Sequence, residues 1–397
     1  MNLLELKNKS KSKKYILSYL PKNLADLIGD DKKVLYKEKL LKTAYLVDIV
    51  NILLKKCYYI DKTAFNLDSR ILRERYGTFY NFYVNYLLDN DIIKLQSNYC
   101  TGKKSKTYLI LPKTLLDVIT IKNSDTILLK KYRKFFTVNY LRSLNYKFIS
   151  LDLMVKVVEN LDRVTINYVD ANEYIDSLPL TKNQLTKNTH SIKCVKHNDM
   201  WFKFDRYGRF HSNLTTIKSG VRDKFLLIDG SPTKEIDIIN SQPIFLTYLM
   251  SENLDMVDQE EYEFFKQLVI NGKLYIYMSH NTNISSRKEV KKLMYTVFFG
   301  TNHLNKKENK IFNRLFPSIF SFIKTYKKEK ENYKSLAYEL QRSESNFLFN
   351  IILEEVSEKY PDLIFFTVHD SITVKIEDYD KVKSIFDYNI KKLHKNL

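Results

Sequence analysis

Between residues 67 and 87 the spacing of apolar positions marks two short helices. Leu67 to Gly77 reads as one helical stretch closed by glycine, and Thr78 stands where the next helix needs a cap. Phe79, Phe82, Tyr83, Tyr86 and Leu87 then recur at i, i+3, i+4, i+7 and i+8, a single apolar stripe. Asp89-Asn90-Asp91 ends that helix, and Ile92–Leu95 and Tyr108–Leu111 follow as strands. The tip between those strands, Thr101–Lys106, is basic through Lys103, Lys104 and Lys106. Residues 115–160 carry helical patterns, and 180–199 is a polar stretch rich in Thr, Asn and Lys.

The second half is patterned differently. Glu235–Ile239 is an apolar strand with Asp237 in its middle, followed by Asn240-Ser241-Gln242-Pro243 and an apolar helix from Ile244 to Met250. Phe365–Val374 reads as two β-rich runs with His369-Asp370 at their turn. Burying an unpaired carboxylate costs several kcal/mol, so aspartates in such strands call for a purpose. Taken singly, each is equally a turn aspartate. Brought together, they make a hard oxygen site suited to Mg²⁺. From Arg287 to Gly300 the pattern is helical, with Arg287, Lys291, Tyr295 and Phe299 every fourth residue along one stripe. Two cations followed by two rings suit a nucleotide, phosphates at one end and base and sugar at the other.

Composition narrows the classes. The chain has 397 residues, a net charge of +19, and 29 Tyr and 24 Phe. Residues 1–120 hold 22 Lys or Arg against 12 Asp or Glu. A basic, Tyr-rich chain suits nucleic acid, although an AT-rich genome inflates the same residues. Three scattered cysteines exclude a disulfide framework or a zinc site. No apolar run spans a membrane and no signal-peptide pattern opens the sequence, so a cytoplasmic, reducing setting is expected. Two short helices followed by a basic hairpin resemble a winged helix-turn-helix, whose second helix enters a major groove while the wing lies on the backbone.

Asp237, the 287–300 helix and His369-Asp370, in this order, resemble motifs A, B and C of the family A polymerase superfamily. That superfamily holds the Pol I-type DNA polymerases and the single-subunit phage and mitochondrial RNA polymerases. Asp205-Arg206-Tyr207-Gly208-Arg209 is similar to the D-x-x-G-R signature of the RNA polymerases, and Gln341 to a palm-helix glutamine of the DNA polymerases. The resemblance covers about residues 200–385. It implies an α+β fold: a winged-helix-like DNA-binding region at 1–120, a helical thumb-like connector at 121–200, and a palm at 201–397 with fingers at about 255–335. It implies that Asp237, Asp370 and the Ile238 carbonyl hold two Mg²⁺ ions. Arg287 and Lys291 would meet the triphosphate, Tyr295, Phe299 and Gly300 the nucleotide, and His369 the primer end. Asp205, Arg209, Gln341, Lys103, Lys104 and Lys106 would contact nucleic acid.

The expected activity is DNA synthesis from dNTPs on a DNA template and primer, for a phage, plasmid or mobile element, without a proofreading domain. Three departures from the family pattern leave the sugar open. Gln242 stands where DNA polymerases usually carry a gate glutamate, Phe299 replaces the usual Tyr, and Ser371 follows His369-Asp370 as in the RNA polymerases. An RNA polymerase or primase with the same site, and a non-catalytic DNA-binding initiator or regulator, are the alternatives.

Overall fold

The computed structural model describes residues 14–28, 33–59, 64–98, 105–110, 118–133, 144, 146–284, 286–395 and 397. The chain divides into two compact units. The first takes in the described residues up to 133 with Tyr168–Asp199 and Thr216–Lys218; the second holds the described residues of 144–167, Met200–Thr215 and Ser219–Leu397.

In the first unit, strand Ile16–Pro21 pairs antiparallel with Val118–Asn123. The helix Thr43–Tyr59 buries Leu46, Val47, Val50, Leu53 and Leu54 in the core. The two short helices of the 67–87 pattern are Ser69–Tyr76 and Tyr80–Asp89. Asp68 caps the first by accepting from the Arg70 amide at 2.8 Å, and Gly77 stops it at φ +83°. Thr78 does not cap the second, which begins after Phe79 with no side-chain cap. Phe79 therefore sits on the turn ahead of the stripe and is 62% exposed, packed beside Phe82 under the Lys39 ammonium. Ala64–Asn66, before these helices, and Ile93–Ser97 and Thr107–Ile110, after them, form a three-stranded sheet in the order Ala64–Asn66, Thr107–Ile110, Ile93–Ser97. Asp48, fully buried, receives the Arg75 guanidinium at 2.7 and 3.0 Å and the Tyr76 hydroxyl at 2.7 Å, clamping the long helix to the first short one. Lys103 and Lys104 lie outside the described residues, while Lys106 is exposed immediately before the Thr107–Ile110 strand.

The second unit is built on a five-stranded antiparallel sheet. Its spatial order is Phe365–Val368, Ser371–Lys375, Ser231–Asp237, Leu226–Ile228, Val164–Ile166. The helix Leu151–Asn160 packs on the Phe365–Val368 strand, with the Asn160 amide donating to the Phe365 carbonyl at 2.9 Å. Helix Ser241–Ser251 is apolar on nearly every side and lies in the interior. The stretch 121–200, expected as one connector, is shared between the units. Val118–Asn123 is drawn into the first by pairing with Ile16–Pro21, and Val164–Ile166 into the second as the edge of its sheet. No helix among the described residues is long and apolar enough to cross a membrane.

Candidate active site

Register brings the two aspartates together. In the pairing of Ser231–Asp237 with Ser371–Lys375, Asp237 lies opposite Ser371, the neighbour of Asp370. The tight turn between the last two strands forces His369 into a left-handed conformation at φ +56°. Asp237 stands at the open end of its strand and is still wetted, yet crowding by protein atoms, then the Asp370 and Glu235 charges, push its carboxyl up to about 7. Asp370 is also raised, chiefly by burial; its own amide, Arg209, Ser241 and Lys291 oppose the shift. Asp370 raises Asp237, and two crowded carboxylates beside each other are relieved by a hard cation.

Among the described residues no group of three or more His, Cys, Asp or Glu side chains is arranged to hold a metal ion. A pair of carboxylates nonetheless fits Mg²⁺, which is usually bound through one or two carboxylates together with substrate phosphates.

The helix Arg287–Phe299 buries Val290, Leu293, Met294, Val297 and Phe298 and turns its other face outward. Arg287 and Lys291 are exposed on that face. The Arg287 guanidinium lies 5.4 Å from the Tyr275 ring centre, and the Lys291 ammonium 5.5 Å from that of Tyr295. Tyr295 and Phe299 stack at 5.2 Å, their planes 17° apart. Lys291 lowers both aspartates, while burial and then Asp370 and Glu344 raise the Tyr295 phenol; the stripe therefore runs past the carboxylates. The helix ends where Gly300 turns extended, at ψ −176°, and glycine suits the place because a Cβ there would sit 2.5 Å from the Thr296 carbonyl oxygen.

Asp205–Arg209 forms the tip between strands Phe202–Phe204 and Phe210–Ser212. The Asp205 carboxylate accepts from the amides of Tyr207 (2.8 Å) and Arg209 (3.1 Å) and lies 2.9 Å from His211 Nε2. Gly208, at φ +85°, leaves no room for a side chain: a Cβ would lie 2.7 Å from the Tyr146 ring and 2.8 Å from Ser345 Oγ. The Arg206 guanidinium sits against Tyr207 and Tyr338, which stack at 4.4 Å. The rings of His211 and His369 meet edge-on at 6.1 Å. His369 is exposed, yet crowding of its ring by protein atoms, then the charges of Arg209, His211 and Arg222, lower its pKa to about 4, leaving a neutral imidazole at pH 7.

Arg209 reaches Glu344, on the same helix as Gln341 and three residues beyond it. The other Glu344 oxygen accepts from the Ser241 hydroxyl at 2.6 Å and from the Gln242 amide. Glu235, two residues before Asp237, accepts from the Ser371 hydroxyl and lies 3.7 Å from Arg222. Sequence reasoning missed Glu344 and Glu235. A lone glutamate in a helix or strand carries no local signal of a partner more than a hundred residues away.

Compared with known proteins, the chain matches no family model and no curated protein sequence.

Proposed function

We propose that the second unit catalyses template-directed nucleotidyl transfer, as a small DNA polymerase that extends a primer on a DNA template from dNTPs. The observation that carries this reading is the convergence of Asp237, at the end of its strand, and Asp370, in the turn before the strand paired with it, beside the Arg287–Lys291–Tyr295–Phe299 face.

Arg287 and Lys291 take the triphosphate, their charge offsetting what develops as pyrophosphate leaves. The stacked rings of Tyr295 and Phe299 hold the base and sugar of the incoming nucleotide, and Gly300 lets the chain turn away. Asp237, Asp370 and the carbonyl of buried Ile238 would hold Mg²⁺, which lowers the pKa of a primer 3′-hydroxyl and neutralises phosphate charge. The neutral His369 orients the primer end, and the Asp205–Arg209 tip and Gln341 face the template and product strands. Ser69–Tyr76, Tyr80–Asp89 and the three strands beside them resemble the helix–helix–hairpin order of a winged helix, and in this reading they grip duplex DNA.

Primed and unprimed DNA templates, offered dNTPs or NTPs separately with Mg²⁺, test the proposal. Extension of a primer by dNTPs supports it. Synthesis from NTPs on unprimed template would move the assignment to an RNA polymerase or primase, and no incorporation of either would move it to a non-catalytic DNA-binding protein.

A further inference from the structure

Glu339, Arg342 and Asn346 fall on one face of the Ser335–Asn346 helix, turned away from the face that carries Gln341 and Glu344. There a cavity of about 160 Å³ opens between the helix and residues 146–149. Drug-sized ligands fill roughly 300–1,000 Å³, so this cavity has room for one ring system and not for a whole nucleotide. Phe148, 64% exposed, and Tyr146 give it aromatic walls, their rings edge-on at 5.6 Å. Arg342, exposed and paired with Glu339 at 2.9 Å, adds a planar guanidinium. Tyr146 is also the ring that closes on Gly208, which sets the cavity beside the Asp205–Arg209 tip.

Two amides line the cavity in a fixed orientation. Asn350 lies in a π-helix, Phe347–Leu353, that continues the chain past Asn346, and such wide turns recur at functional sites. A carbonyl oxygen only accepts, so the Asn350 nitrogen faces the Phe148 carbonyl, at 2.6 Å. The same nitrogen donates to Asn346 Oδ1 at 2.6 Å. The pair therefore offers a ligand one acceptor, Asn350 Oδ1, beside one donor, Asn346 Nδ2. Every nucleobase carries a neighbouring donor and acceptor on its Watson–Crick edge, and asparagine amides pair with such edges. In a duplex the partner base occupies that edge, so the group that fits is an unpaired base. Glu339 offsets the Arg342 charge inside the cavity, and nothing there favours a phosphate over a neutral ring.

We propose that this cavity binds one unpaired base of single-stranded DNA, stacked on Phe148 and held at its edge by Asn346 and Asn350. Lys147, exposed and set between the two aromatic residues in the chain, meets a flanking phosphate. The proposal goes beyond nucleotidyl transfer. It assigns a place that holds a single strand on a face turned away from Gln341 and Glu344, and it is read by binding alone, whether or not Asp237 and Asp370 are catalytic.

Fluorescence anisotropy over a salt series tests it, with full-length protein and three probes. These are a single-stranded DNA of about eight nucleotides, an abasic strand of the same length, and a blunt duplex. Phe148→Ala should weaken binding of the single strand about tenfold, the usual loss on removing one stacking ring, and leave the salt slope unchanged, since no phosphate contact goes. Asn346→Leu, which keeps the size and removes the donor, should weaken it roughly three- to tenfold. Affinity for the abasic strand and for the duplex should stay at the wild-type value in both variants. Circular dichroism melting monitors each fold; if Phe148→Ala does not fold, Asn346→Leu decides by the same comparison. Unchanged single-strand affinity in a folded variant, or an equal loss on the abasic strand, would overturn the proposal. A protein inactive in primer extension leaves this comparison intact, so the two readings fail separately.

Discussion

Lys327 carries its ammonium group into the protein interior, where it donates to the carbonyls of Val297 and Gly300, each at 2.8 Å, and to Asn302 Oδ1 at 2.6 Å. Those carbonyls end the Arg287–Phe299 helix, where the helix dipole favours a positive charge. Burial, then the charge of Lys306, pull the Lys327 pKa down to about 7 from an ordinary 10.5. Because the folded value is the lower one, the unfolded chain binds more protons between about pH 7 and pH 10.5. Stability linked to this residue therefore rises with pH through that window and is least below it. Lys327→Met should flatten this part of the curve and, by leaving two carbonyls unpaired, cost about 1–3 kcal/mol. Urea unfolding of both proteins between about pH 6 and pH 9 reads both effects. Parallel curves would show that the ammonium does not titrate there.

At the scale of elements, the Asp205–Arg209 hairpin is held to one geometry by several contacts. Gly208 combines a positive φ with contact against Tyr146 and Ser345, so Gly208→Ala should cost about 1–3 kcal/mol and displace Arg209 from Glu344. Reduced primer extension, with a lowered melting temperature, is the expected result; an unchanged protein would mean that the tip moves freely. This part of the site was legible in the sequence as a motif, but not its reason, since Tyr146 and Ser345 are remote in the chain. The Arg287–Phe299 helix was legible almost to the residue, because its buried and exposed positions alternate with the helical period and glycine stops it. The Asp237 strand was placed correctly but read too far toward Ile239; the ladder ends at Asp237, and Asn240 turns left-handed. Thr78 was a poor guide to a helix start, since a cap works only where the backbone turn leaves its hydroxyl facing free amides. Asp48, Lys327 and Glu344 were invisible for one shared reason. Each is a single charge whose meaning comes from partners brought together by folding.

At the scale of the whole molecule, the net charge is +19, and in the proposed reading phosphate contacts make affinity depend on salt. On the first unit, Arg73 of the Ser69–Tyr76 helix and Lys106 at the foot of the hairpin are exposed. In full-length protein, Arg73→Glu and Lys106→Glu should each weaken duplex binding and reduce the salt slope by about one. Extension of a preformed primer–template should survive. Fluorescence anisotropy over a salt series measures the first, a primer-extension gel the second. Duplex affinity and slope unchanged in both variants would place the DNA elsewhere.

The central claim is that Asp237 and Asp370 form one catalytic centre, and it is tested most directly by single-turnover incorporation of a dNTP on a primed template with Mg²⁺. Asp237→Ala and Asp370→Ala should each abolish incorporation, while melting temperature and affinity for the primer–template stay close to those of the wild type. Wild-type turnover in both variants would contradict it.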